Sequence, residues 1–122
     1  MHSKYVVVIP AKNEERNLPR TLKFLKMQTL KPQEIIVIND GSTDRTRDIA
    51  ISFGCRVIDI HRRQFDAAGT RILPVIINVG LKLAEKMRPD YISILGADHI
   101  LPSYYYETVS YTHLTLPTTE RV

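Results

Sequence analysis

Glu34-Ile35-Ile36-Val37-Ile38-Asn39-Asp40-Gly41-Ser42-Thr43-Asp44 joins a β-branched run, a turn and a helix start in one short stretch. The run of Ile and Val lacks the polar alternation of a half-solvated strand, so it suits a strand buried on both faces. Gly41 permits a sharp turn. Ser42 or Thr43 can cap a helix that carries Ile49, Ala50 and Phe53 and stops at Gly54. A strand covered on both faces needs helices above and below it and further strands beside it.

Both flanks supply them. Upstream, Tyr5 to Ile9 is a second β-branched run, closed by Pro10. Asn13 offers an N-cap, and Glu14 and Glu15 follow where a helix dipole favours acids. Leu18, Leu22 and Leu25 then recur at helical spacing, with Pro19 tolerable only in the first turns and Pro32 ending the connection. Downstream, Arg56 to Asp59 reads as a short third strand and 61–71 as a polar loop. Pro74 to Met87 reads as an apolar helix stopped by Pro89 and Asp90. Tyr91 to Leu95 is a fourth strand, Gly96 to His99 a loop, and Ile100 to Glu107 the start of another helix. This alternation predicts an α/β fold with a Rossmann-like, mainly parallel sheet and helices on both faces.

The chain has 122 residues, 43% hydrophobic and 25% charged, the composition of one ordinary globular domain rather than of a disordered segment. The net charge of +4 comes from scattered cations (Lys23 and Lys26, Arg45 and Arg47, Arg62 and Arg63), not from the clustered stripe that nucleic acid requires. Cys55 is the single cysteine, so an intrachain disulfide and a cysteine zinc cluster are both excluded. Its apolar neighbours mark it as a buried structural thiol, which suits a reducing compartment: the cytoplasm or the cytoplasmic face of a membrane. The apolar run from Tyr5 to Pro10 is far shorter than the ~20 residues of a membrane span.

Residues 109–122 change character, with crowded threonines and no helical period. From Val109 to Thr118 they resemble, position by position, the translation of a transposon-end sequencing adapter. The expectation is therefore a domain over 1–108 that is an incomplete part of a larger one, followed by a non-native tail over 109–122 that packs poorly.

In open parallel sheets ligands bind beyond the carboxyl ends of the strands, so the residues just after each strand carry the functional information. Pro10-Ala11-Lys12-Asn13-Glu14 has no glycine, which excludes both the dinucleotide-binding turn and the P-loop. Taken alone, Asn13 and Glu14 are equally consistent with helix capping. Asp40 lies where an acid could accept hydrogen bonds from a base or ribose, but a well-capped turn explains the same residues. Asp98, after the fourth strand, is the type of ligand a hard divalent cation uses beside a diphosphate. A lone Asp in that place is a weak signal.

Together the three segments are specific. Val7-Val8-Ile9-Pro10-Ala11-Lys12-Asn13-Glu14-Glu15, Glu34 through Thr46, and Asp90 through Pro102 resemble, in order and spacing, the family 2 glycosyltransferases with the A-type fold, over residues 4–107. The resemblance implies a nucleotide-diphosphate sugar donor and inverting transfer to a hydroxyl on a lipid, polysaccharide or protein glycan. Pro10, Lys12, Glu14, Ile38 and Asp40 match donor-nucleotide positions. Ala97 and Asp98 match the last two positions of the D-x-D motif, whose final Asp holds Mg2+ or Mn2+ against the diphosphate. Gly96 stands where the first Asp of that motif is expected, Asn39 replaces a frequent Asp, and Ile77 precedes Asn78 where an Arg is often found, leaving Arg71 as a substitute. The family's catalytic base is expected downstream of Asp98, outside this chain, so none of these residues is expected to be the base. The alternative is a non-catalytic, degenerate nucleotide-sugar-binding relative. A sugar-1-phosphate nucleotidyltransferase would need a Gly- and Arg-rich loop after the first strand, which Pro10 to Asn13 do not supply.

Overall fold

The computed structural model describes residues 3–61 and 72–115. Four parallel strands form one sheet: β1 (Tyr5–Ala11), β2 (Glu34–Asp40), β3 (Arg56–Ile60) and β4 (Tyr91–Ile94), in the spatial order β3-β2-β1-β4. The helices are α1 (Leu18–Lys26), α2 (Thr46–Ser52), α3 (Ile72–Lys86) and α4 (Tyr105–Thr115). Register is fixed by pairs such as Val8 with Ile36, Val8 with Ile94, and Asp40 with Ile60.

The period of two along each strand sorts the core into two layers. Tyr5, Val7, Ile9, Ile35 and Val37 pack with Leu18, Leu22 and Leu25 of α1, Ala50 of α2 and Tyr106 of α4. Val6, Val8, Ile36, Ile38 and Ile60 pack with Ile76 and Ala84 of α3. Both faces are therefore covered, as the uninterrupted β-branched runs require. Gly80 lets α3 approach closely: a Cβ there would stand 2.7 Å from both Ile38 Cδ1 and Val8 Cγ1. Alanine normally outperforms glycine inside a helix, but these contacts come from short branched side chains on strands that cannot move aside, so bulk at 80 strains the packing.

Three tyrosines tie α4 to the sheet. The Tyr5 ring stacks on Tyr91 at 5.4 Å and on Tyr106 at 4.3 Å. Every hydroxyl of the trio has a partner: Tyr5 donates to the Leu30 carbonyl, Tyr91 bonds Ser110 Oγ at 2.6 Å, and Tyr106 bonds Ser93 Oγ at 2.9 Å. Burial pushes the Tyr106 hydroxyl up to about 12. The expected boundary at 108 falls within α4. α4 runs across it, Val109 packs against the core, and Ser110 is 3% exposed. One helical turn beyond Tyr106 brings 109 and 110 onto the same buried face. Tyr111, on the other face, is exposed. Residues 116–122 lie outside the described residues.

Two helix starts also differ from expectation. α1 begins at Leu18 rather than near Asn13, and neither Ser42 nor Thr43 caps α2. The side chains concerned are engaged across the site.

Candidate functional site

The chain leaves β1 through α1 toward one face and enters β4 from α3 on the other, so β1 and β4 diverge at a topological switch point. In doubly wound sheets ligands bind at such a point, beyond the carboxyl ends of the strands. The segments after β1, β2 and β4 all emerge at that edge. Glu14, Asp40 and Asp98 therefore share it.

The loops after β1 and β2 are latched to each other. Asn13 adopts φ 53°, in the left-handed region that Asn tolerates better than most residues. There its amide donates to Ser42 Oγ at 3.0 Å, and its Oδ1 accepts from the Thr43 amide at 2.8 Å. The Glu14 amide donates to Thr46 Oγ1 at 2.8 Å and the Glu15 amide to Asp44 Oδ2 at 3.2 Å. Asp44 also accepts from the Thr46 amide at 2.9 Å and from its hydroxyl. Partial desolvation raises the Asp44 carboxyl, but the bonds from Thr46 and Glu15 outweigh it and hold the group below its ordinary value.

Lys12 is exposed beside this latch, Pro10 is half-buried, and the Glu14 carboxylate faces Asn17 Nδ2 at 3.5 Å. Asp40 ends β2, is only 7% exposed, and by strand alternation lies on the α3 side. Gly41, at φ 63°, turns the chain immediately after it. Ile38 is different. It is fully buried under Gly80, so its side chain contributes to the floor of the edge and not to its surface. On the other face Asn39 Nδ2 donates to Asp59 Oδ1 at 2.9 Å, and Arg47 Nε reaches Asp59 Oδ2 at 3.0 Å. The Asn39 bond, then Arg47, hold the Asp59 carboxyl below its usual range despite some desolvation.

The loop after β4 is held from beneath. Thr21 Oγ1, buried in the apolar stripe of α1, lies 2.8 Å from the Ala97 carbonyl and 2.9 Å from that of His99. Gln28 Nε2 donates to the Pro102 carbonyl at 2.8 Å, and Gln28 Oε1 accepts the Tyr106 amide at 3.1 Å. Ala97 is thereby buried, while Asp98 and His99 project outward with side chains 63% and 58% exposed. Their polar atoms stand 3.4 Å apart. Among the described residues no group of three or more His, Cys, Asp or Glu could hold a metal by itself. An exposed carboxylate is nevertheless sufficient protein ligation for an ion that arrives with diphosphate oxygens and water. Ile77 is half-buried in α3, Asn78 is exposed, and Arg71 lies outside the described residues.

Thr21, Gln28, Asp44 and Thr46 are not among the residues the sequence singles out. For the first two a signal exists: polar residues placed at helical spacing within the Leu18, Leu22, Leu25 stripe. For Asp44 and Thr46 the partners lie some thirty residues upstream, beyond any local pattern.

Comparison with known proteins gives this geometry a lineage. The 4,4'-diaponeurosporenoate glycosyltransferase of Staphylococcus aureus is 41% identical over 59 residues, which is 48% of this chain and 16% of the relative. The structure is similar to glucosyl-3-phosphoglycerate synthase from Mycobacterium tuberculosis in complex with Mn2+, UDP and glucosyl-3-phosphoglycerate. The TM-score is 0.62 and the identity 25%, covering 82% of this chain and 35% of that one. It also resembles TarS (residues 1–349) of Staphylococcus aureus in complex with UDP, with TM-score 0.71 and 22% identity, covering 88% of this chain and 31% of TarS. The chain thus spans a minor part of each relative's length. The sheet order and two-sided helix cover are those of the A-type glycosyltransferase fold. The sequence profile described as "Glycosyl transferase family 2" matches residues 6–110, nearly the whole described chain, and the protein belongs to that family.

Proposed function

We propose that this chain is the donor-binding part of a glycosyltransferase that takes a sugar from a nucleoside-diphosphate sugar, with inversion, to a hydroxyl acceptor. The observation that carries this reading is the meeting of the segments after β1, β2 and β4 at one switch point within a family 2 chain. In it, Asp40 accepts hydrogen bonds from the base or ribose, and Lys12 and Glu14 line the nucleotide beside it. Ile38 supports Asp40 from below. Pro10 and Ala97 shape the floor, and Asp98 ligates Mg2+ or Mn2+. When bound, the cation would neutralise charge developing on the diphosphate leaving group. UDP and Mn2+ in the mycobacterial synthase support this donor class.

The acceptor would be a lipid, polysaccharide or protein glycan, and none of the residues named above is assigned as the base that deprotonates it. Among the described residues no helix is long and apolar enough to cross a membrane. The half-buried Cys55 thiol, pushed up to about 11 by burial, fits placement in the cytoplasm or at its membrane face. Gly96 in place of the first acid favours one second reading, a relative that binds nucleotide sugar without transferring it.

Isothermal titration of the chain with UDP, in Mn2+ and then in chelator, tests the proposal. Saturable binding that weakens on chelation is expected. Absence of nucleoside-diphosphate binding in both conditions, with UDP, GDP and ADP alike, contradicts it.

A further inference from the structure

The space that an acid at position 96 would use is already filled. A Cβ on Gly96 would stand 2.6 Å from His99 Nδ1 and 2.7 Å from its Cε1, with Asp98 Oδ1 next at 3.1 Å. Real carbon atoms do not approach so closely, so a side chain at 96 and this ring position exclude one another. The ring is also directed. His99 Nδ1 lies 3.3 Å from the Gly96 carbonyl and 3.4 Å from Asp98 Oδ1. With the proton on Nδ1 the ring would donate to that carbonyl while standing beside the carboxylate. The backbone beneath is fixed, since Thr21 ties the Ala97 and His99 carbonyls to α1.

We infer that His99 is the positioning partner of Asp98, occupying the room that Gly96 leaves, so that a carboxylate–imidazole pair replaces the two-acid arrangement of the family motif. The inference rests on the reading of Asp98 as the cation ligand. The ring stands on the Oδ1 side of the carboxylate. Carboxylate ligands are commonly oriented in this way by an outer hydrogen-bond donor. Gly96 and His99 consequently act as one unit, and restoring the missing acid alone damages the site.

The test uses four proteins: the parent, Gly96→Asp, His99→Ala and the double variant, each titrated with UDP in Mn2+ and in chelator. None of the substituted residues lies in the core, and Gly96 has no positive φ, so the fold tolerates them. His99→Ala should weaken Mn2+-dependent UDP binding by about tenfold, the low end of what losing an outer partner costs. Gly96→Asp should weaken it comparably, and the double variant should bind better than either single one, a coupling that independent sites do not show. Gly96→Asp binding UDP in Mn2+ as tightly as the parent overturns the inference. If the parent binds UDP without regard to Mn2+, the cation reading of Asp98 fails separately. Ring-nitrogen NMR shifts of His99 then decide the geometry, recorded about two pH units above the ordinary histidine value of ~6.5. An Nδ1–H tautomer in the parent that is lost in Gly96→Ala supports the pairing, and the same tautomer in both proteins overturns it.

Discussion

The loops after β1 and β2 and the loop after β4 line the same edge but are stabilised in opposite ways. In the first pair, backbone amides of Asn13, Glu14 and Glu15 are taken up by Ser42, Thr46 and Asp44 of the neighbouring loop. After β4, the carbonyls of Ala97, His99 and Pro102 are taken up from below by Thr21 of α1 and by Gln28 just past its end. Lateral latching makes the first region a shaped surface held by its own polar residues. Support from underneath leaves Asp98 and His99 free to point outward. The β1–β2 side is thus held by cross-bonding, and the β4 side only through its backbone. That is the side on which the chain departs from its family's motif.

The largest effect should come from Thr21→Val, which keeps the shape but strands two carbonyls beneath the β4 loop. We expect a loss of about 2–3 kcal/mol, read by thermal melting, with amide exchange accelerating around 97–103 and little at 13–15. Thr46→Val removes the acceptor for the Glu14 amide and one bond to Asp44, at about 1–2 kcal/mol, with the opposite exchange pattern. If both variants loosen both loops equally, the division between the two regions is wrong.

A smaller effect sharpens the electrostatics. Asp44 and Asp59 both have carboxyls held below their unfolded values. Such groups contribute stability that is fully present above the unfolded value of about 3.9 and is lost as pH falls through the folded value. Acid should therefore loosen the β1–β2 latch only as pH falls below that ordinary value, visible as amide shifts in 13–15 and 42–46. Asn39→Asp would set a second carboxylate where Nδ2 now stands 2.9 Å from Asp59 Oδ1. Like charges at that distance disfavour joint ionisation. The variant should be less stable than the parent near neutrality, by about 1 kcal/mol, and the gap should narrow on acidification. An unchanged gap would mean that the Asn39–Asp59–Arg47 cluster is not electrostatically coupled.

Much of this was legible from sequence because buried parallel strands announce themselves. The Val and Ile runs at 6–9 and 35–38 mark both strands, and with them the carboxyl edge they share. The latch was not legible. Asn13, Ser42 and Thr43 are good capping residues by type, and only the folded sheet brings the loops close enough for them to prefer each other. Ile38 matched a nucleotide position, yet strand alternation and Gly80 place its side chain in the core. At 109 and 110 the helical phase set by Tyr106 carries Val109 and Ser110 inward, which composition does not reveal.

The central claim is a division of labour at one edge: Asp98 for the cation, Asp40 for the nucleoside. Calorimetric titration with UDP, in Mn2+ and in chelator, tests it most directly when applied to Asp98→Ala and to Asp40→Asn, which preserves the shape of a nearly buried side chain. Asp98→Ala should bind UDP equally with and without Mn2+, at the level the parent shows in chelator. Asp40→Asn should bind more weakly than the parent in both conditions while retaining its response to Mn2+. An Asp98→Ala protein that binds UDP as tightly as the parent, and with the same dependence on Mn2+, would contradict the account.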